Sequence, residues 1–129
     1  MPANESNHTS LTNISKIRII ILLDIPVLKP ADFHILLALA AGPLHGYGIM
    51  KDVERDTGGE VTLEIGSLYR LLARLVTEGL IDDIESADER RRYYRITAAG
   101  RKALKSEAAR LAGVVTLVRA RKLLPEADL

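Results

Sequence analysis

The sequence predicts a mainly α-helical domain that carries one small β-hairpin and ends in a long helix. Three observations predict it: apolar residues of helical period between residues 30 and 79, two short β-prone runs around a polar turn, and an apolar heptad from Leu104 to Val118. At 129 residues the chain suits one such domain and is short for two. It has no cysteine, no tryptophan and one phenylalanine. The core is therefore expected to be aliphatic, and disulfides, cysteine-ligated metals and thiol chemistry are excluded. A cytoplasmic location fits that composition.

Residues 1–13, "MPANESNHTSLTN", are polar and aperiodic and read as a disordered arm. Residues 14–29 form an apolar extension whose role the residues do not assign. Within it "IRIIILLDIPVL" is broken by Arg18, Asp24 and Pro26. That falls short of the ~20 apolar residues needed to span a bilayer, so no membrane partner and no secretory signal are expected.

Pro30 suits the first position of a helix, and Phe33, Leu36, Leu37 and Ala40 then fall on one face before Ala41-Gly42-Pro43 ends it. A second helix is expected from about Gly46 to Asp56. It should turn Tyr47, Met50 and Val53 inward and Lys51, Asp52, Glu54 and Arg55 outward, and stop at Gly58-Gly59. The third helix has the clearest period. Leu68, Leu71, Leu72, Leu75 and Val76 form its inner stripe, and Gly79 closes it. Ser67, Arg70, Arg74 and Thr77 collect on the opposite face, with Tyr69 at the flank and no carboxylate before Glu78. A merely solvated face usually mixes both signs, so this one is suited to an anion.

"LIDDIES" and "RYYRIT" then form a hairpin around "ADERR". Strand alternation puts Tyr94 and Ile96 on an apolar face and Arg91, Tyr93 and Arg95 on a basic, aromatic one. Thr97 is placed to N-cap the last helix, which is expected over residues 98–122, with a flexible tail at 123–129. In that helix Leu104, Ala108, Leu111, Val115 and Val118 recur at spacings of 4, 3, 4 and 3, a narrow heptad seam. A long helix of this kind at the edge of a small domain calls for a partner, and a second copy of the chain is the simplest one.

The formal net charge of +1 hides an uneven distribution: residues 66–122 hold 13 Lys+Arg against 7 Asp+Glu. A basic C-terminal half points to a polyanion. Three helices, a hairpin and a further helix, in this order, are the elements of a winged helix-turn-helix spanning residues 30–97 and followed by a dimerisation helix. In that fold the third helix enters the major groove and the hairpin, or wing, lies along the backbone or minor groove.

The segments "GPLHGYGIMKDVE", "GSLYRLLARLVTEGLI" and "RRRYYRITAAGRKAL", in this order and spacing, resemble the PadR family of bacterial transcriptional regulators over roughly residues 30–120. The resemblance implies a dimeric DNA-binding repressor, in many members responsive to a small-molecule effector. The single short C-terminal helix resembles the compact branch of the family. Two departures stand out. The wing tip "SADERR" has neither glycine nor proline, and without tryptophan the family's mode of holding flat aromatic drugs between paired tryptophans cannot be carried over.

These readings converge on two recognition helices of a homodimer entering successive major grooves of double-stranded DNA at a pseudo-palindromic operator, with half-sites about 10 bp apart. Arg70 and Arg74 are the candidates for guanine or phosphate, and Ser67 and Tyr69 for the backbone. Arg90, Arg91 and Arg92, beside Tyr93, are the wing candidates for phosphate, tempered by Asp88 and Glu89. The expected dimer interface comprises Phe33, Leu37, Leu104, Ala108, Leu111, Val115 and Val118. No effector-binding residue can be assigned from sequence. The alternative is a winged-helix protein-interaction module that binds no DNA. No enzyme, cofactor or metal site is expected. His34 and His45 lack an evident nucleophile, carboxylate or further ligand nearby in sequence, and His45 reads instead as a cap for the second helix.

Overall fold

The computed structural model describes residues 27–84 and 91–125. Their elements are α1 (Pro30–Ala40), β1 (Leu44–His45), α2 (Gly46–Asp56), α3 (Ile65–Thr77), β2 (Ile81–Ile84), β3 (Tyr93–Ile96) and α4 (Ala98–Ala120). The expected arm at 1–13, most of the extension at 14–29, the wing tip with Arg90, Asp88 and Glu89, and most of the tail at 123–129 lie outside the described residues.

The helical elements form where local chemistry requires them. α1 starts on Pro30, and α2 ends where Gly58 and Gly59 adopt φ of 60° and 85°, letting the Gly59 N–H reach the Glu54 carbonyl at 2.8 Å. Thr97 caps α4: its Oγ1 accepts from Gly100 N at 3.0 Å and donates to the Gly79 carbonyl at 2.7 Å. One side chain thus ties the start of α4 to the turn that closes α3. Thr97→Ala is expected to cost about 1–2 kcal/mol, read as a lower urea midpoint with unchanged slope.

The hairpin is present, but it is part of a three-stranded antiparallel sheet in the order β1-β3-β2. The third strand is the two-residue β1, which pairs Leu44 with Tyr94 and His45 with Tyr93. Two residues carry no periodicity, which hides such a strand from pattern reading. Its effect is large, because it fixes the entry to α2 against the wing.

The core is aliphatic, as composition requires. Ile35, Leu36 and Leu39 of α1 meet Ile49 and Val53 of α2, Leu68, Leu72 and Leu75 of α3, and Leu80, Ile81, Tyr94 and Ile96 of the sheet region. Ala103 and Leu104 of α4 complete it. Three expectations about facing change. α1 buries Asp32, Ile35, Leu36 and Leu39, so its inner stripe is rotated from the expected Phe33/Leu36/Leu37/Ala40. A helix carrying Phe33, Ile35, Leu36, Leu37 and Leu39 has two overlapping apolar stripes, and Leu37, 41% exposed, belongs to the outer one. On α2, Tyr47 faces solvent, its ring under the Lys51 ammonium at 5.4 Å, and Ile49 takes the inner position. Val76, the last member of the α3 stripe, is exposed.

α4 has two parts. Gly100, Ala103 and Leu104 pack into the core, and Arg101 Nη2 donates to the Ala40 carbonyl at the end of α1 at 3.3 Å. Beyond Glu107 no residue of the helix is fully buried: Leu111, Val114 and Leu117 are exposed and Val115 and Val118 half-buried. No helix among the described residues is long and apolar enough to cross a membrane.

Candidate nucleic-acid interface

α3 presents its polar side away from the core. Its 13 residues include Arg70 and Arg74 and no carboxylate. Tyr69, Arg70, Ala73 and Thr77 are exposed and Ser67 is half-buried. Arg70 Nη2 donates to Ser67 Oγ at 3.2 Å, which lays the guanidinium along the first turn of the helix. Among the described residues it makes no ion pair, so its charge is available to an incoming anion.

Arg74 is placed differently from the expectation. Its Nη2 lies 2.6 Å from Oδ1 of Asp32, whose side chain is 3% exposed, and its Nη1 lies 3.9 Å from Glu78. A carboxylate from α1, 42 positions away in sequence, therefore stands at what the helical wheel shows as a carboxylate-free face. Asp32 sits in the first turn of α1, where the helix dipole favours a negative charge. Arg74 supplies the remaining compensation, and its first task is to hold α3 against α1.

Tyr69 combines packing with exposure. The residue is 46% exposed, and its hydroxyl oxygen lies only 2.7 Å from where a Cβ on Gly46 would be. Gly46 thereby lets the Tyr69 side chain cross the start of α2. The ring separates two clefts. The larger, about 460 Å³, is lined by Tyr69, Ala73, Val76, Asp83, Arg92 and Tyr94. The smaller, about 250 Å³, is lined by His45, Gly46, Tyr47, Tyr69, Arg91 and Arg92.

On the wing, Tyr94 and Ile96 are buried and Arg95 is exposed, so the expected alternation is present. Its outer face is less basic than the arginine count suggests. Arg95 pairs with Asp82 at 3.4 Å across the β2–β3 register, and Arg92 pairs with Asp83 at 3.2 Å. Tyr93, half-buried, meets the His45 ring edge-on at 5.5 Å. Burial, then the Asp83 carboxylate and Tyr69, push the Tyr94 phenol above its ordinary value, against the opposing Arg92 guanidinium. Arg91 differs from its neighbours: its Nη1 lies 3.2 Å from Nε2 of His45. His45 is the N-cap of α2, its Nδ1 accepting from Gly48 N at 3.0 Å.

Of the residues expected at a dimer contact, Leu104 is buried in its own chain's core, which withdraws it from the exposed seam. Phe33, Val115 and Val118 are half-buried, while Leu37, Ala108 and Leu111 are exposed. What sequence reasoning missed is the Asp32–Arg74 bridge and the neutralisation of Arg92 and Arg95. The second had a legible signal. Asp82 and Asp83 precede a turn whose return strand carries the arginines, and antiparallel pairing brings the two runs together.

The comparisons with known proteins agree with this architecture. Residues 35–106, more than half of the chain, match the family model described as the transcriptional regulator PadR-like family. An uncharacterised 37.1 kDa protein in transposon TN4556 of Streptomyces fradiae is 44% identical over 88 residues, 66% of this chain and 25% of that protein. The chain thus spans about a quarter of that relative's length. A transcriptional regulator from Clostridium thermocellum, Cth-833, is 30% identical with a TM-score of 0.59, over 69% of this chain and 89% of its own. Bacillus subtilis PadR, solved in complex with operator DNA, is similar in fold, with a TM-score of 0.55 at 24% identity, over 64% of this chain and 48% of its own. The match from α1 through the start of α4, on this winged helical frame, places the chain in a family of regulators and not of enzymes: it belongs to the transcriptional regulator PadR-like family.

Proposed function

We propose that the chain is a homodimeric, sequence-specific DNA-binding repressor that acts in the cytoplasm on a pseudo-palindromic operator. The observation that carries this reading is α3: an exposed helix face with Arg70 held by Ser67 and not one carboxylate between Ile65 and Thr77. Membership of a regulator family supports it, and so does the likeness of fold to a protein solved with operator DNA. Arg70 reads base edges, Ser67 and Tyr69 meet the backbone, and Arg91 and Arg92 follow it along the wing. Arg74 keeps α3 in place and reaches phosphate with its exposed part. The apolar stripe of Leu111, Val115 and Val118, together with Leu37 and Phe33 of α1, packs against the same residues of a second copy. An effector that alters this packing would release the operator.

Fluorescence polarisation with the DNA upstream of the protein's own gene tests the reading. The wild type should prefer this duplex to a scrambled one and weaken steeply with salt. Arg70→Ala should lower affinity about tenfold to a hundredfold with an unchanged melting temperature, since a bidentate arginine–guanine contact contributes about 1–3 kcal/mol. Equal binding to both duplexes by the wild type would remove the claim of sequence specificity. Sedimentation at micromolar concentration should give the mass of two chains, and Leu111→Glu should give one.

A further inference from the structure

The contact between His45 and Arg91 cannot be a hydrogen bond between the two. Nδ1 of His45 accepts the Gly48 N–H at 3.0 Å, so in a neutral imidazole the single proton sits on Nε2. The hydrogen-bond network, not a visible hydrogen, makes this assignment. Nη1 of Arg91 lies 3.2 Å from that Nε2, and a guanidinium has donors only. Two donors therefore converge at the foot of the wing. Placing a second proton on the ring would not resolve the conflict, because it would take the acceptor that caps α2. A single acceptor placed between them can take a bond from each.

The surroundings suit an anionic acceptor of some size. The cleft beside this pair, about 250 Å³, is lined by His45, Gly46, Tyr47, Tyr69, Arg91 and Arg92, with no carboxylate among them. Among the described residues Arg92 is shared with Asp83 at 3.2 Å and Arg91 with no carboxylate, so Arg91 carries the larger part of the charge at this cleft. The imidazole is oriented by its neighbours: the Tyr93 ring meets it edge-on at 5.5 Å and the Tyr47 ring lies nearly parallel, 17° apart, at 6.3 Å. The absence of a side chain on Gly46 admits the Tyr69 hydroxyl to the same cleft. A tetrahedral phosphate, with several oxygens, can accept from Nε2–H and a guanidinium at once.

We propose that this cleft holds one backbone phosphate of the bound duplex, taken jointly by His45 Nε2–H and Arg91. The proposal rests on the DNA-binding reading above and gives His45 two roles. One ring nitrogen fixes the start of α2 and the other fixes the DNA, so helix and wing are anchored at a single phosphate. The contact is independent of base sequence.

His45→Asn separates the two roles, since asparagine is a good N-cap but its amide does not reach the position of Nε2. The variant should keep its melting temperature and lose about tenfold in affinity, equally for promoter and scrambled duplexes, because a hydrogen bond to a charged group is lost. Arg91→Ala should also lower the slope of log K against log[salt] by about 0.9. Unchanged affinity in His45→Asn, with wild-type binding intact, overturns the shared phosphate and leaves the DNA-binding reading standing. A second measurement covers the reverse case. In 15N-labelled protein titrated with inorganic phosphate, the His45 Nε2 resonance should move in the wild type and stay still in Arg91→Ala. If it moves while the wild type binds no duplex, the anion site stands and DNA as its occupant is overturned. If it does not move in either protein, the site itself is wrong.

Discussion

Arg74→Met is expected to lower the stability of the domain by about 3 kcal/mol, although the arginine lies near the surface. The reason is the partner it leaves behind. Asp32 is 2% exposed, and its carboxylate oxygen is 2.6 Å from the Arg74 guanidinium. A buried charge without compensation costs several kcal/mol, and the N-terminus of α1 offsets only ~1 kcal/mol of that. The 40% exposure of the Arg74 side chain puts the estimate at the lower end of the range measured for broken buried pairs. Asp32→Leu combined with Arg74→Met should recover most of the loss, because an apolar pair of similar volume leaves no charge to solvate. Urea unfolding of the two single variants and the double variant forms the cycle that measures the coupling. If Arg74→Met unfolds at the wild-type urea concentration, the bridge is an ordinary surface pair and its assignment as the α1–α3 tie is wrong. Comparison with Arg70→Ala then distinguishes two arginines of one helix. One is expected to lower stability, the other to lower affinity alone.

That distinction marks the limit of what the sequence reveals. Periodicity located the four helices of the described residues and the hairpin, because a single face or an alternating strand is a property of neighbours in the chain. Thr97 and His45 were legible as caps for the same reason, since each acts within three residues of itself. The faces of α1 were not, because Phe33, Ile35, Leu36, Leu37 and Leu39 satisfy two stripes and only the rest of the core selects one. Asp32 and Arg74 meet across 42 residues, and no local pattern encodes that meeting. The DNA-facing candidates fared in proportion to how local their environment is. Arg70, bonded to Ser67 one turn away, lies on the exposed side of α3 where the helical period puts it. Arg92 and Arg95 find aspartates on the neighbouring strand, and Arg91 finds a histidine from β1, a strand too short to show a pattern. The run of three arginines is therefore not one feature. Among the described residues Arg92 is spent largely within the wing, while Arg91 points a charge at the cleft beside α2.

Gly100→Ala should destabilise the protein by about 2–3 kcal/mol, against the ordinary preference of helices. Gly100 is the third residue of α4, where alanine is intrinsically better by up to ~1 kcal/mol. Here a Cβ would collide with the Leu80 carbonyl oxygen and lie 2.8 Å from Cγ1 of Ile96. Neither neighbour can yield without further loss. The Leu80 carbonyl also accepts the Thr97 N–H at 3.1 Å, and Ile96 is part of the core. Relief of the clash must lift α4 from the start of β2, breaking that bond and loosening the contact that joins the wing to the long helix. Gly113→Ala, in the same helix and on the side away from the Leu111/Val115/Val118 stripe, is the control: nothing lies within 4 Å of its Cβ position. There the helix preference should appear unopposed, as a gain of up to ~1 kcal/mol. Thermal melts of the two variants should therefore shift in opposite directions, with Gly100→Ala lower by about 10–20 °C. A rise in both would mean that α4 is seated less closely on the sheet than the Leu80 contact requires. The wing and α4 would then be joined less tightly than this contact implies. Shifts of opposite sign are the result expected if α4 is seated on the Leu80 carbonyl and Ile96 as closely as the contact shows, which joins the long helix directly to the proposed DNA-binding wing.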